Sequence, residues 1–122
     1  MAERVRAIRG ATTLDSDSKE QVIERTGALL EAIFERNELA KADLISIVFT
    51  ATDDISSEFP AAAARQIGIS DVPLLCAREL EVDGAVTLCV RVLIHAYTER
   101  DKADLRHVYL ERARPLRTDL PQ

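Results

Sequence analysis

The run Ala85–Thr98, AVTLCVRVLIHAYT, constrains this chain more than any other stretch. It has strand length, is rich in β-branched residues, and carries one arginine, Arg91, at its centre. Read with a period of two, Val86, Leu88, Val90, Val92, Ile94 and Ala96 make one wholly apolar face. The opposite face carries Thr87, Cys89, Arg91, Leu93, His95 and Tyr97. A guanidinium flanked there by Cys89 and Leu93 is partly out of water. A buried charge without a partner is costly, so Arg91 requires an anion. That anion is either a carboxylate of the protein or one belonging to a ligand.

The surrounding chain suits a single domain over residues 1–122, with 113–122 as a flexible C-terminal tail. The N-terminus MAERVRAIRG has charges where a signal peptide needs an apolar run, and no stretch approaches membrane-span length. Two cysteines, Cys76 and Cys89, without a CxxC pair or a His/Cys cluster point to reduced thiols in the cytoplasm, not to a zinc site. A net charge of −5 and the absence of tryptophan argue against a nucleic-acid surface.

In chain order, Arg4–Ala11 reads as a first strand. Asp15–Ser18 offers helix caps, with Asp17 and Glu20 at capping-box spacing. Val22, Ile23, Thr26, Leu29, Leu30, Ile33 and Phe34 then recur as one stripe of an amphipathic helix ending near Asn37. Leu44–Ala51 is apolar on both faces, as an interior strand is. Pro60, the alanines after it and Gly68 bound a short helix. Val72–Val82 reads as a strand that Pro73 pushes toward a sheet edge, and Asp83-Gly84 as a turn into the arginine-centred run. A charged loop and a last strand, His107–Arg112, complete the order β–α–β–α–β–β–β. The expected fold is α+β: a small mixed sheet of about five strands with two helices on one face. The uncovered face, bearing Arg91 and Tyr109, is expected to meet another subunit.

No P-loop, GxGxxG, GxSxG or HExxH occurs. His95 and His107 lack metal-ligand spacing, and neither cysteine has an obvious activating base. What remains is a set of arginines at strand positions or ends: Arg9, Arg91, Arg65 and Arg117. Planar guanidinium groups grip carboxylates with two parallel hydrogen bonds. Internal salt bridges to Glu79 or Glu111 account for Arg9 and Arg91 equally well, and plain surface charge accounts for Arg65 and Arg117. Glu79, in an apolar strand, reads as an ion-pair partner or as a hydroxyl acceptor.

Five collinear landmarks carry a family resemblance: IRGATT (Ile8–Thr13), FPAAAAR (Phe59–Arg65), VPLLCARELEV (Val72–Val82), CVRV (Cys89–Val92) and RHVYLERARPLRTDL (Arg106–Leu120). Together they resemble the monofunctional chorismate mutases of the trimeric α/β-barrel type, the AroH class. The likeness runs from about Arg4 to Leu120. It implies a [3,3] rearrangement of chorismate to prephenate in aromatic amino-acid biosynthesis, with no metal and no cofactor. It also implies a homotrimer, closed into a pseudo-α/β-barrel, with active sites between subunits.

By resemblance, Arg91 sits at the ether oxygen and side-chain carboxylate, and Arg9 and Tyr109 hold the enolpyruvyl group. Glu79 accepts from the ring hydroxyl with Cys76 nearby. Phe59, Ala61, Leu75 and Leu116 form an apolar wall, and Arg65 and Arg117 a cationic mouth. Glu79 and Cys76, three apart on one strand, face opposite sides, so a site touching both is bulged or takes one residue from each of two subunits. Leu75 and Thr118 depart from the family pattern of threonine and proline. The rival reading is a trimeric small-carboxylate binder, or an imine-hydrolysing protein of similar fold. A non-catalytic binding module is a third reading.

Overall fold

A computed structural model describes residues 3–117 and 119–122. The elements are β1 (Arg4–Thr13), α1 (Lys19–Asn37), β2 (Leu44–Ala51), α2 (Ala61–Gln66), β3 (Leu74–Arg78), β4 (Cys89–Thr98) and β5 (Val108–Tyr109). The five strands form one mixed sheet in the order β3-β2-β4-β1-β5. The arginine-centred strand β4 lies in the middle, antiparallel to β1 on one side and to β2 on the other. β3 runs parallel to β2, and β5 parallel to β1. The chain reaches each parallel partner by a crossover, as parallel pairing demands.

One face of the sheet is dry. Ile8, Ile47, Phe49, Val92, Ile94 and Ala96 are buried against Leu29, Leu30 and Ile33 of α1 and Ala61 and Ala64 of α2. The alternation read in the sequence therefore holds from Val90 to Ala96, each of which is buried on alternate positions. α1 starts where Ser18 accepts the Gln21 N–H, so Ser18, not Asp17, is the cap. Asp17 instead accepts the backbone N–H groups of Ser56 and Ser57, tying the loop before α2 to the helix start.

The opposite face is covered by neither α1 nor α2; Ala113, in a short turn after β5, packs on it beside Ala11 and Cys89. Val5, Leu75 and Tyr97 remain exposed there, beside the half-buried Val48 and Leu93.

Three strands are shorter than their sequence patterns. The arginine-centred strand begins at Cys89, not Ala85, because Leu88 adopts a left-handed backbone (φ 48°) that ends the ladder. The Asp54 carboxylate accepts the Leu88 N–H at 3.0 Å and holds that turn. β3 stops at Arg78, since its partner β2 ends at Ala51 and the Glu79 N–H to Ala51 carbonyl is the last bond between them. It does sit at the sheet edge, as Pro73 indicated. Asp83-Gly84 forms a turn, with Gly84 at φ 82°, but β3 and β4 are not neighbours, so no hairpin follows. β5 is cut to two residues, and Glu111 (φ 53°) turns the chain out of the sheet.

Helix α1 packs tightly on the sheet at Gly10. A β-carbon built there would stand 2.8 Å from Ile33 Cδ1 and 3.0 Å from the Val108 carbonyl oxygen. The side chain could shift, but the β5 backbone could not. Gly10→Ala is therefore expected to destabilise the fold by about 1–3 kcal/mol, read as a lowered midpoint in thermal denaturation.

Candidate active site

The ladder positions of β4 decide which side chains gather on the open face. Arg91 lies opposite Ala11 of β1 and Thr50 of β2. From just past the edge strand, Glu79 reaches across to the same point. Its Oε2 accepts the Thr50 hydroxyl at 2.8 Å and stands 3.5 Å from Arg91 Nε. The internal ion pair foreseen for Arg91 is therefore present, and Glu111 is not its partner. Instead the Glu111 carboxylate stands 3.9 Å from Arg25. Thr50 carried no sequence signal beyond being a hydroxyl in an apolar strand; only the register brings it to Glu79.

The Glu79 contact neutralises charge without completing the hydrogen bonding. Arg91 Nε is buried and has no hydrogen-bond partner among the described residues, because the 3.5 Å contact is an ion pair only. A buried donor left unmade costs about 1–3 kcal/mol, which marks this guanidinium as poised for a further acceptor. Cys89, two residues earlier on the same face, has its thiol pushed up by burial against the opposing effect of Arg91. A nucleophilic thiol needs the opposite shift.

Next to it, Tyr109 packs with Ala11, Cys89 and Ala113, with Leu116 alongside. Its hydroxyl is likewise buried and without a partner among the described residues. Burial raises the phenol above the ordinary tyrosine range, while Arg9, Arg117 and Arg91 pull it down and Asp119 pushes it up. The charges of three arginines thus act on one hydroxyl that has no partner among the described residues. Arg117 is gripped by Asp119 through two bonds of 2.9 Å, which holds the Asp119 carboxyl below its usual range. The backbone of Arg9 is fixed by His107, whose Nδ1 accepts the Arg9 N–H at 2.9 Å.

The remaining expected site residues lie elsewhere. Cys76 pairs in register with Phe49 and packs toward the helix-side core, while Glu79 points to the open face. The opposite-side placement required by their spacing is present, and β3 runs in unbroken register with β2. Cys76 and Phe59 line a cleft of about 420 Å3, with Ile55, Pro60, Ala77 and Arg78. Phe59 is 67% exposed at its rim. Ala61 is buried at the start of α2. Leu75 faces the open side beside Val48, away from Cys76. Arg65 falls outside this cleft and lines another with Ile69, Ser70, Val72 and Leu74. Thr118 lies outside the described residues.

Arg78, which the sequence did not single out, shapes the cleft. It donates to the carbonyls of Thr52 (2.6 Å) and Ile55 (2.8 Å), while Asp17 holds the loop's other end. Because burial dominates at Tyr109, its phenol should ionise only above pH 10, the ordinary tyrosine value. Absorbance titration of a Tyr97→Phe variant isolates this residue. Ionisation at or below that value would mean the hydroxyl is solvated.

One chain thus presents two sets of residues on two faces, one cationic and one apolar. Comparison with known proteins gives the arrangement its context. The family model described as chorismate mutase type I matches residues 5–120. The chain is 44% identical over 117 residues to chorismate mutase AroH of Thermus thermophilus, covering 95% of this chain and 96% of that protein. It is 39% identical over 117 residues to chorismate mutase AroH of Bacillus subtilis, covering 95% and 92%. Among solved structures, a chorismate mutase from Clostridium thermocellum superposes with a TM-score of 0.89 at 42% identity, covering 90% of this chain and 98% of that one. An arginine-centred strand, a mixed five-stranded sheet and a match over nearly the whole length agree: this chain belongs to the chorismate mutase type I family.

Proposed function

We propose that the chain rearranges chorismate to prephenate at a site shared by two copies of itself within a homotrimer. The observation that carries the reading is the pair of buried groups without a partner among the described residues, Arg91 Nε and the Tyr109 hydroxyl, the latter within the influence of Arg9 and Arg117. Chorismate is a dianion whose rearrangement breaks one C–O bond and forms one C–C bond within the same molecule. No proton is transferred, so a general acid or base has nothing to do. The needs are restraint in a reactive conformation and cations aimed at charge that grows on the ether oxygen.

Arg91 meets that oxygen and the adjacent carboxylate, and the paired Glu79 accepts from the ring hydroxyl. Arg9 and Tyr109 hold the enolpyruvyl group; Leu116 and Arg117 close the open side. Because Cys76 and Phe59 lie on the far side of the sheet from Glu79, they serve a neighbouring copy's site. Ala61 and Arg65, on the helix side, belong to that second contribution, whereas Leu75 lies on the open face with Glu79. The exposed Val5, Leu75 and Tyr97 on the face that α1 and α2 leave uncovered support burial between copies. The two unpaired thiols, Cys76 and Cys89, fit work in the cytoplasm.

The decisive assay is loss of chorismate absorbance with appearance of prephenate. Arg91→Ala is expected to lower kcat by at least about 10²–10³-fold, with a much smaller rise in KM. A variant that assembles and keeps its kcat would reduce Arg91 to a structural ion pair.

Light scattering at micromolar concentration should return the mass of three chains. If sites are shared, Arg91→Ala and Phe59→Asp subunits, each inactive alone, should regain roughly one quarter of normal activity when refolded together in equal amounts. No recovery from a mixed trimer would place each site within one chain.

A further inference from the structure

His107 stands between three parts of the chain. The parallel ladder between β1 and β5 opens at Gly10 with Val108. One residue earlier, the Arg9 N–H has no strand carbonyl to meet and donates to the His107 ring at 2.9 Å. The His107 main chain in turn donates to the Pro121 carbonyl at 2.8 Å, within the tail that carries Arg117. With only 8% of its surface exposed, the imidazole is held by the fold. A backbone N–H can only donate, so Nδ1 must carry a lone pair, and the ring proton sits on Nε2.

We propose that His107 is a positioning residue for the rearrangement: its neutral ring fixes the β1 backbone at Arg9 and thereby aims the guanidinium that takes the enolpyruvyl group. This rests on the role given to Arg9 above. Protonated, the ring would turn a second donor toward the Arg9 N–H and add a cation beside Arg9. The charged groups that act on the ring or share its cleft are Arg9 from β1, Arg117 from the tail, which is paired with Asp119, Arg6 from β1, which stands 4.0 Å from Asp101, and Lys102 from the turn before β5. The excess is cationic. Burial first, then Arg117 and Arg9, hold the imidazole below its ordinary range. A lowered folded-state value means the neutral ring's contribution is complete above the ordinary imidazole pKa. That contribution is lost as pH falls from there through the folded value.

Two substitutions separate positioning from packing. His107→Asn keeps an acceptor near the Nδ1 position and does not titrate; His107→Leu keeps bulk and removes the acceptor. His107→Leu should raise KM about tenfold, with a smaller change in kcat, while His107→Asn stays within about threefold of the intact chain. On acidification, kcat/KM should fall for the intact chain below the usual imidazole range and stay level for His107→Asn. Two-bond proton–nitrogen spectra of the ring should show the proton on Nε2 at neutral pH. A ring protonated on Nδ1, a normal KM in His107→Leu, or an Asn variant as impaired as the Leu variant would overturn the proposal. The spectra decide the first point even if His107→Leu fails to fold. If the intact chain does not convert chorismate, the functional reading fails instead, and the ring's tautomer still stands or falls alone.

Discussion

The structure turns on the cost of keeping one guanidinium half out of water in the middle of a sheet. Arg91 sits on the central strand, 22% exposed, with Glu79 as its nearest anion. β4 can hold it only because the strand's alternate residues make a dry face strong enough to fix its register. Val90, Val92, Ile94 and Ala96 are packed to exclusion of water, and a one-residue slip would bury the arginine among the leucines of α1. The apolar face thus places the polar one.

Neutralisation of Arg91 is deliberately incomplete in chemical terms. A carboxylate at 3.5 Å balances charge, and the Thr50 hydroxyl takes up one of its lone pairs, yet Nε keeps an unmade bond. Tyr109 repeats the pattern with a buried hydroxyl that has no partner among the described residues and feels the charge of three arginines. Groups of this kind are expensive in an interior unless something else completes them. Under the function proposed above, a dianion with a lengthening C–O bond would be such a partner, and one that needs no acid, base or nucleophile. The raised Cys89 thiol and the lowered His107 imidazole are consistent with this: both stay neutral near the cations, and neither is tuned to take part in proton or acyl transfer.

Around that centre, the loops are held by single polar residues. Asp17 fixes the segment before α2, Arg78 ties it to the edge strand, and Asp54 holds the left-handed Leu88 just ahead of β4. Each contact joins residues distant in sequence; Asp17 and Arg78 shape the apolar cleft, and Asp54 fixes the chain just ahead of the strand that carries Arg91.

Much of this was legible in the order of residues. Period-two alternation gave β4 its buried face, the 3.6-residue stripe gave α1, and Pro60 with Gly68 bounded α2. The opposite orientation of Cys76 and Glu79 follows from spacing alone, because side chains on a strand alternate. Both ends of β2 were legible, but the ends of its neighbours were not. Leu88 and Glu111 leave the sheet through left-handed backbone angles, and β3 stops where β2 no longer offers a partner, which no local pattern encodes. Nor was the company kept by Arg91: residues 50, 79 and 91 converge only because strand order sets β2 between β3 and β4. Composition could supply an arginine and several carboxylates, but not the distance between them. Local chemistry determined which faces are dry and which groups carry charge. Tertiary structure decided which charges meet, since Thr50, Glu79 and Arg91 lie far apart in sequence and only the sheet register brings them together.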